Sequence, residues 1–184
     1  MDGHADYNYT LQPSDKAGNY TLTALFSADK YDDTTKDSDV VVLKGDIADV
    51  IIPDKTIESL TNVTVDVQLN DTNGNPVYGN STVDVVIDGK VVENVTITDG
   101  KLNITIPTDT QPAGEHNITI IIRENENYNN KTIDMKVTII KRDVTIDIVK
   151  NDTKTLNMVN ATVTVKDVNG SLVNGGKVGF KIKV

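Results

Sequence analysis

Two stretches of this 184-residue chain say nearly the same thing: AGNYTLTALFSADKYDD at Ala17–Asp33 and AGEHNITIIIRENENYNN at Ala113–Asn130. In both, apolar residues recur at every second position: Tyr20, Leu22, Ala24 and Phe26 in the first, Ile118, Ile120 and Ile122 in the second. Alternation of period two is the mark of a strand with one buried face. The repetition at a fixed distance is the mark of a chain built from copies of one unit.

Working outward, the copies stay in step. Asp2-Gly3 matches Asp99-Gly100, Pro13 matches Pro107, Tyr31 matches Tyr128, and Lys44 and Asp46 match Lys141 and Asp143. A second set runs the other way, with NVTVDVQLNDTNGNPV (Asn62–Val77) returning as NATVTVKDVNGSLV (Asn160–Val173). The offsets lie between about 94 and 98, which gives a unit of about 96 residues. One copy is whole, residues 47–142. Residues 1–46 match its second half and residues 143–184 its first half.

The same alternation predicts strands at Val63–Leu69, Val83–Ile87, Leu102–Ile106, Ile118–Ile122 and Ile133–Ile139. In the partial units it predicts strands at Tyr20–Phe26, Ala161–Val165 and Val178–Ile182. Asn73-Gly74, Asp88-Gly89, Asp99-Gly100 and Asn169-Gly170 supply the positive φ that tight turns need, with Asp88-Gly89 the clearest hairpin. About seven short strands per unit, each with one apolar face, predict an all-β antiparallel sandwich, since a single sheet would leave its apolar face wet. The first junction, DVVVLKGD followed by a strand expected near Val50, and the second, MKVTIIKRDVTIDIV, contain no flexible linker. Joints that short are stiff, and an elongated rod is expected.

Composition narrows the function classes. The net charge is −9 with no basic stripe, which argues against nucleic acid or an anionic membrane as partner. There is no cysteine, so disulfides, zinc thiolates and thiol catalysis are excluded. No apolar run reaches the roughly 18 residues of a membrane helix. The opening MDGHADYNYT is polar and shows no signal peptide.

AGNYTLTALFSADKYDDTT resembles the aG-Y-T-v-T-a-x-y-s-G-D-x-x-Y signature of bacterial-type Ig-like repeat domains. The second copy departs from it, with Glu124 and Asn125 where a small residue, Gly and Asp are usual. Domains of this kind are strung in tandem in large surface proteins of bacteria and of methanogenic archaea, the adhesin-like proteins. The resemblance implies tandem Ig-like sandwiches and a structural stalk segment at the cell surface, outside the cell, projecting a distal binding region. Two alternatives stand beside it: a carbohydrate- or cell-binding module, against which the shortage of aromatics counts, and an accessory domain of an extracellular polysaccharide-processing enzyme.

N-x-S/T sequons begin at Asn8, Asn19, Asn62, Asn70, Asn80, Asn94, Asn103, Asn117, Asn130, Asn151, Asn160 and Asn169, far more than chance pairing gives. Glycosylation of an extracellular rod is one reading. The other is that positions i and i+2 share the solvent face of a strand, where Asn and Thr both fit. Asn130 and Asn151, placed in loops, are the glycosylation candidates. NDTNGN (Asn70–Asn75) and KDVNGS (Lys166–Ser171) offer clustered oxygens for calcium between units, but the EF-hand pattern is absent and a hairpin turn accounts for both. No cofactor is expected. His4 and His116, the two histidines, have no nucleophile or paired carboxylates at a useful spacing, so no enzyme activity is expected. Tyr31 and Tyr128 are expected to anchor the loop before the last strand by ring burial. The partners expected are neighbouring repeats of the same protein. Head-to-tail self-association is a further expectation, because the two half-units are complementary.

Overall fold

The computed structural model describes residues 3–12, 14–152, 154 and 157–183. Eleven strands run in chain order: β1 Gly18–Ala28, β2 Tyr31–Val42, β3 Lys55–Glu58, β4 Val63–Gln68, β5 Asn80–Ile87, β6 Lys90–Thr98, β7 Lys101–Ile106, β8 Gly114–Ile122, β9 Lys131–Ile140, β10 Val144–Lys150 and β11 Ala161–Asp167. Among the described residues the fold is all-β, with a single 3-10 turn at Thr108–Thr110.

Seven of these strands, β3 to β9, form the middle unit. One sheet has the order β3-β9-β8-β5-β6, and β4 pairs with β7 to make the facing layer. All pairings are antiparallel except β3 with β9. Each strand sends alternate residues inward: Val63 and Val65 from β4, Val83 and Val85 from β5, Leu102, Ile104 and Ile106 from β7, Ile118, Ile120 and Ile122 from β8, and Met135 and Val137 from β9. These make one core shared by both layers, which is why the β-branched alternation of the sequence ends as a sandwich-like two-layer structure.

The turns act as their chemistry dictates. Asp88 (φ 49°) and Gly89 (φ 83°) close the two-residue loop between Ile87 and Lys90. Asp99 (φ 50°) and Gly100 (φ 67°) instead carry the chain from β6 in one layer to β7 in the other. Gly100 is required on two counts, because a Cβ there would also lie 2.7 Å from the Leu69 carbonyl oxygen.

Every buried apolar residue among those described falls between Ile47 and Ile139. Outside that span are two lone hairpins, β1 with β2 and β10 with β11. Three expectations fail there or at the joints. Residues Val178–Ile182 alternate but form no strand, because the strands that flank their counterpart β5, β6 and β8, have no partner copies beside them. The strand expected near Val50 begins only at Lys55: Ile47 makes a bridge with Asp71, Pro53 follows, and the chain then joins β9. Tyr31, expected to be buried like Tyr128, is 74% exposed, with its ring edge-on to that of Phe26 at a centroid distance of 6.3 Å, whereas Tyr128 is 9% exposed. The difference is the absence of a core beneath the hairpin.

The loops that repeat in sequence also repeat in structure. Asp71 Oδ1 accepts the backbone N–H of Asn73 and Asn75, and Asp167 Oδ1 accepts those of Asn169 and Ser171. Val77 N donates to Leu69 O, and Val173 N donates to Val165 O.

Candidate functional sites at the joints

The loop from Glu124 to Asn130 clasps the preceding hairpin. Asn125 organises it: its Oδ1 accepts the N–H of Asn127 and of Tyr128, each at 2.8 Å, while its Nδ2 donates to Tyr78 O and Ser81 Oγ at 3.1 Å. Asn127 then reaches across, accepting Ala17 N at its Oδ1 (2.9 Å) and Gly45 N at its carbonyl (2.8 Å). Asn129 N returns a hydrogen bond to Gly45 O. Lys16 meets Glu126 at 2.8 Å and Lys44 meets Glu124 at 3.0 Å. These ion pairs are largely exposed and add little energy, so the backbone bonds define the joint. Of the residues that depart from the repeat signature, Asn125 shapes the loop from within its own unit, and Glu124 reaches the neighbouring unit only through its exposed pair with Lys44.

A cleft of 480 Å³ opens at this joint, lined by Gln12 and Asp15 on one side and Asn73, Asn75, Tyr78 and Tyr128 on the other. Burial raises the Tyr128 hydroxyl above its ordinary range, with nearby Asp71 adding to it and the Tyr78 backbone partly opposing.

The second joint is three residues long, Lys141 to Asp143. Arg142 stands where the first joint has Gly45. Its guanidinium lies 3.6 Å from Glu58 and 3.6 Å from Asp167, so it ties the end of β3 to the end of β11. Its Nε is buried and has no hydrogen-bond partner among the described residues.

Two polar clusters lie inside the middle unit. Arg123 donates from Nε and Nη2 to Asp84 Oδ2 at 2.8 and 2.5 Å, and Asn94 donates to Asp84 Oδ1. The guanidinium, with Asn94 second, holds this carboxyl below the usual carboxylate range. His116 is buried between Asp88 and the Pro112 carbonyl. Neither cluster was foreseen from the sequence, because Asp84 and Arg123 are 39 residues apart and Asp88 and His116 are 28 apart.

The sequon asparagines are all exposed except Asn70, which is half-buried. The fold already uses several of them. Asn94 serves Asp84, Asn62 Oδ1 accepts Asp109 N, and Asn80 Oδ1 accepts the Thr98 hydroxyl. On β8, Asn117 and Thr119 share the face opposite the core, where Thr119 donates to Asp134 at 2.7 Å. Asn130 is exposed just before β9; Asn151 is exposed after β10 and its Oδ1 accepts Asn160 N. In the two loops considered for calcium, Asp71 Oδ1 and Asp167 Oδ1 are taken by backbone donors, and no three His, Asp or Glu groups converge among the described residues. His4 lies far out on the exposed head, 3.3 Å from Asp6. No helix is long and apolar enough to cross a membrane among the described residues.

No protein-family profile matches the chain, and no curated protein matches it. Among solved structures, it is similar to the endo-fucoidan hydrolase MfFcnA4 from glycoside hydrolase family 107, with a TM-score of 0.33 and 14% identity over 68% of this chain and 19% of that one. A variant of the same hydrolase gives a TM-score of 0.33 and 12% identity over 86% of this chain and 30% of that one. The chain thus spans less than a third of either enzyme, and a likeness of this size carries no weight on function.

Proposed function

We propose that the chain is a stalk segment of a cell-surface adhesin-like protein, built from tandem Ig-like units: a complete one at 47–142 and partial ones at 1–46 and 143–184. It works mechanically. Short joints pass orientation from one unit to the next, and polar faces keep the rod soluble outside the cell. The supporting observation is the first joint, where Asn127 receives backbone N–H groups from both Ala17 and Gly45. A flexible tether has no such bonds.

Small-angle scattering at high dilution tests this reading. An extended particle is expected; a compact one, with both ends folded over the middle unit, would overturn it. Glycosylation at Asn130 and Asn151 belongs to the same proposal and is read by glycopeptide mass spectrometry of the protein from its native source.

One observation favours a second reading, a carbohydrate-binding module: the polar cleft at the first joint with Tyr78 and Tyr128 on its wall. Titration with a panel of oligosaccharides separates the two. Saturable binding lost in Tyr78→Ala would move the assignment to the binding module.

A further inference from the structure

The two joints carry the same carboxylate beside different neighbours. Asp71 and Asp167 are counterparts in the repeat, and each uses Oδ1 to accept two backbone N–H groups of its own loop. That leaves Oδ2. At the second joint Asp167 Oδ2 lies 3.6 Å from the guanidinium of Arg142, which also lies 3.6 Å from Glu58. The cation sits between two carboxylates, and its side chain is only 19% exposed. At the first joint the counterpart of Arg142 is Gly45, which brings no side chain. Among the described residues, Asp71 Oδ2 has only the Asn75 side-chain amide, at 3.4 Å.

Gly45, Asp71 and Asp15 all line the 480 Å³ cleft at the first joint. A cleft of that volume is in the range of small-ligand sites. Asp15 accepts the Tyr9 hydroxyl and Gln12 N at Oδ2, each at 2.8 Å, so it too keeps an oxygen over. Among the described residues, no lysine or arginine lines the cleft. Lys16 and Lys44, which flank it in the chain, are drawn away to Glu126 and Glu124. The first joint thus presents two carboxylates, as the second does, but without the cation.

The walls select among cations. A Cβ built on Gly45 would lie 3.5 Å from Cδ1 and from Cε1 of Tyr128, an ordinary contact, so the space beside Gly45 runs along that ring. Tyr78 lines the same cleft. A guanidinium is planar and weakly hydrated, stacks on aromatic rings and donates in a fork that matches carboxylates. An ammonium is a compact, strongly hydrated charge and loses more on entering such a site.

We propose that the cleft at the first joint binds the guanidinium group of a ligand, in the place that Arg142 fills from within the chain at the second joint. Asp71 Oδ2 and Asp15 take its N–H groups, and the Tyr128 ring flanks its plane. The inference rests on the tandem-repeat reading above, which matches Gly45 with Arg142 and Asp71 with Asp167. It gives the cleft a cationic ligand in place of a neutral sugar.

The test is calorimetric titration of the full chain at low salt with three probes: the peptide acetyl-Gly-Arg-Gly-amide, its lysine analogue, and agmatine. The arginine peptide is expected to bind at one saturable site and the lysine peptide clearly less well. Agmatine as tight as the peptide assigns the site to a free guanidinium compound; a tighter peptide assigns it to an arginyl chain. Gly45→Arg is expected to abolish binding, because the chain then fills its own cleft. Asp71→Asn keeps an oxygen for the loop N–H groups and is expected to weaken binding roughly tenfold or more. An unchanged thermal transition shows that each variant still folds, and Asp71→Asn carries the test if Gly45→Arg does not. No binding of the arginine probes, equal binding of the lysine peptide through simple attraction to an acidic chain, or binding that survives the variants overturns the proposal. Small-angle scattering on the same samples keeps the two readings apart. An extended particle that binds no guanidinium overturns this inference and leaves the stalk reading intact; a compact one that binds none overturns both.

Discussion

The Nδ1 of His116 lies 2.7 Å from Asp88 Oδ2, and its Nε2 lies 2.8 Å from the Pro112 carbonyl oxygen. Both ring nitrogens face acceptors, so both hydrogen bonds form together only when the ring is the imidazolium. The pair fastens the β5–β6 turn to the start of β8. Its hydrogen bond to Asp88 raises the His116 pKa above the ordinary 6.5, and the same bond, with Asn117 N second, lowers the Asp88 pKa below the ordinary 3.8.

The signs follow from linkage. The His116 contribution is whole below pH 6.5 and fades as pH rises through its raised value. The Asp88 contribution is whole above pH 3.8 and fades as pH falls through its lowered value. Between those limits the pair stabilises the middle unit most. Melting temperature measured across pH is expected to fall on the alkaline side in the wild type, and His116→Gln is expected to flatten that limb. A limb that persists in the variant would place the effect elsewhere.

Gly100 and Gly89 separate backbone strain from crowding. Both have positive φ, but a Cβ at Gly89 meets nothing within 4 Å, while at Gly100 it meets Leu69 O at 2.7 Å. Gly89→Ala is expected to cost about 1 kcal/mol from the left-handed backbone alone. Gly100→Ala is expected to cost roughly 1–3 kcal/mol more, in the range of forced overpacking. Urea midpoints of the two variants check the order; equal losses would mean the loop around Leu69 relaxes freely.

Ile118 and Leu22 are counterparts in the repeat with opposite surroundings. Ile118 is fully buried and Leu22 is 46% exposed. Ile118→Ala is expected to cost about 2–5 kcal/mol in the unfolding of the middle unit. Leu22→Ala is expected to leave that transition within about 0.5 kcal/mol when measured on the dilute monomer. A large effect of Leu22→Ala under those conditions would show that the head hairpin shares the middle core.

Asp84, Arg123 and Asn94 act as one cluster, so their substitutions should not add. Asp84→Asn and Arg123→Gln are each expected to lower the melting temperature by a few degrees. Their combination is expected to lower it by clearly less than the sum, since the first change already removes the partner. Full additivity would show that the pair is not coupled.

At the first joint, Asn127→Ala removes the acceptor for Ala17 N and leaves the carbonyl that serves Gly45 N. Hydrogen exchange is expected to speed at the Ala17 amide and to change far less at Gly45. Uniform acceleration of both would mean that the side chain carries the whole joint.

The sequence by itself determined five strands of the middle unit, β4, β5, β7, β8 and β9, and the hairpin turn at Asp88-Gly89, but not β3, which it expected near Val50. These are local matters: a run such as Val63 to Leu69 sorts its own residues onto two faces, and Asp88-Gly89 can turn without help from elsewhere. The same local signal reads Val178 to Ile182 as a strand and Tyr31 as an anchor, and there only the tertiary structure decides. A strand persists when neighbours take its hydrogen bonds, and the stretch from Val178 to Ile182 has none; a ring is buried when a facing layer covers it, and Tyr31, though paired with Ala28 in the hairpin, has no such layer. The clusters at Asp84 and His116 and the clasp at Asn127 were likewise invisible in the linear order. They join residues from separate strands, and no spacing along the chain records which strands lie side by side.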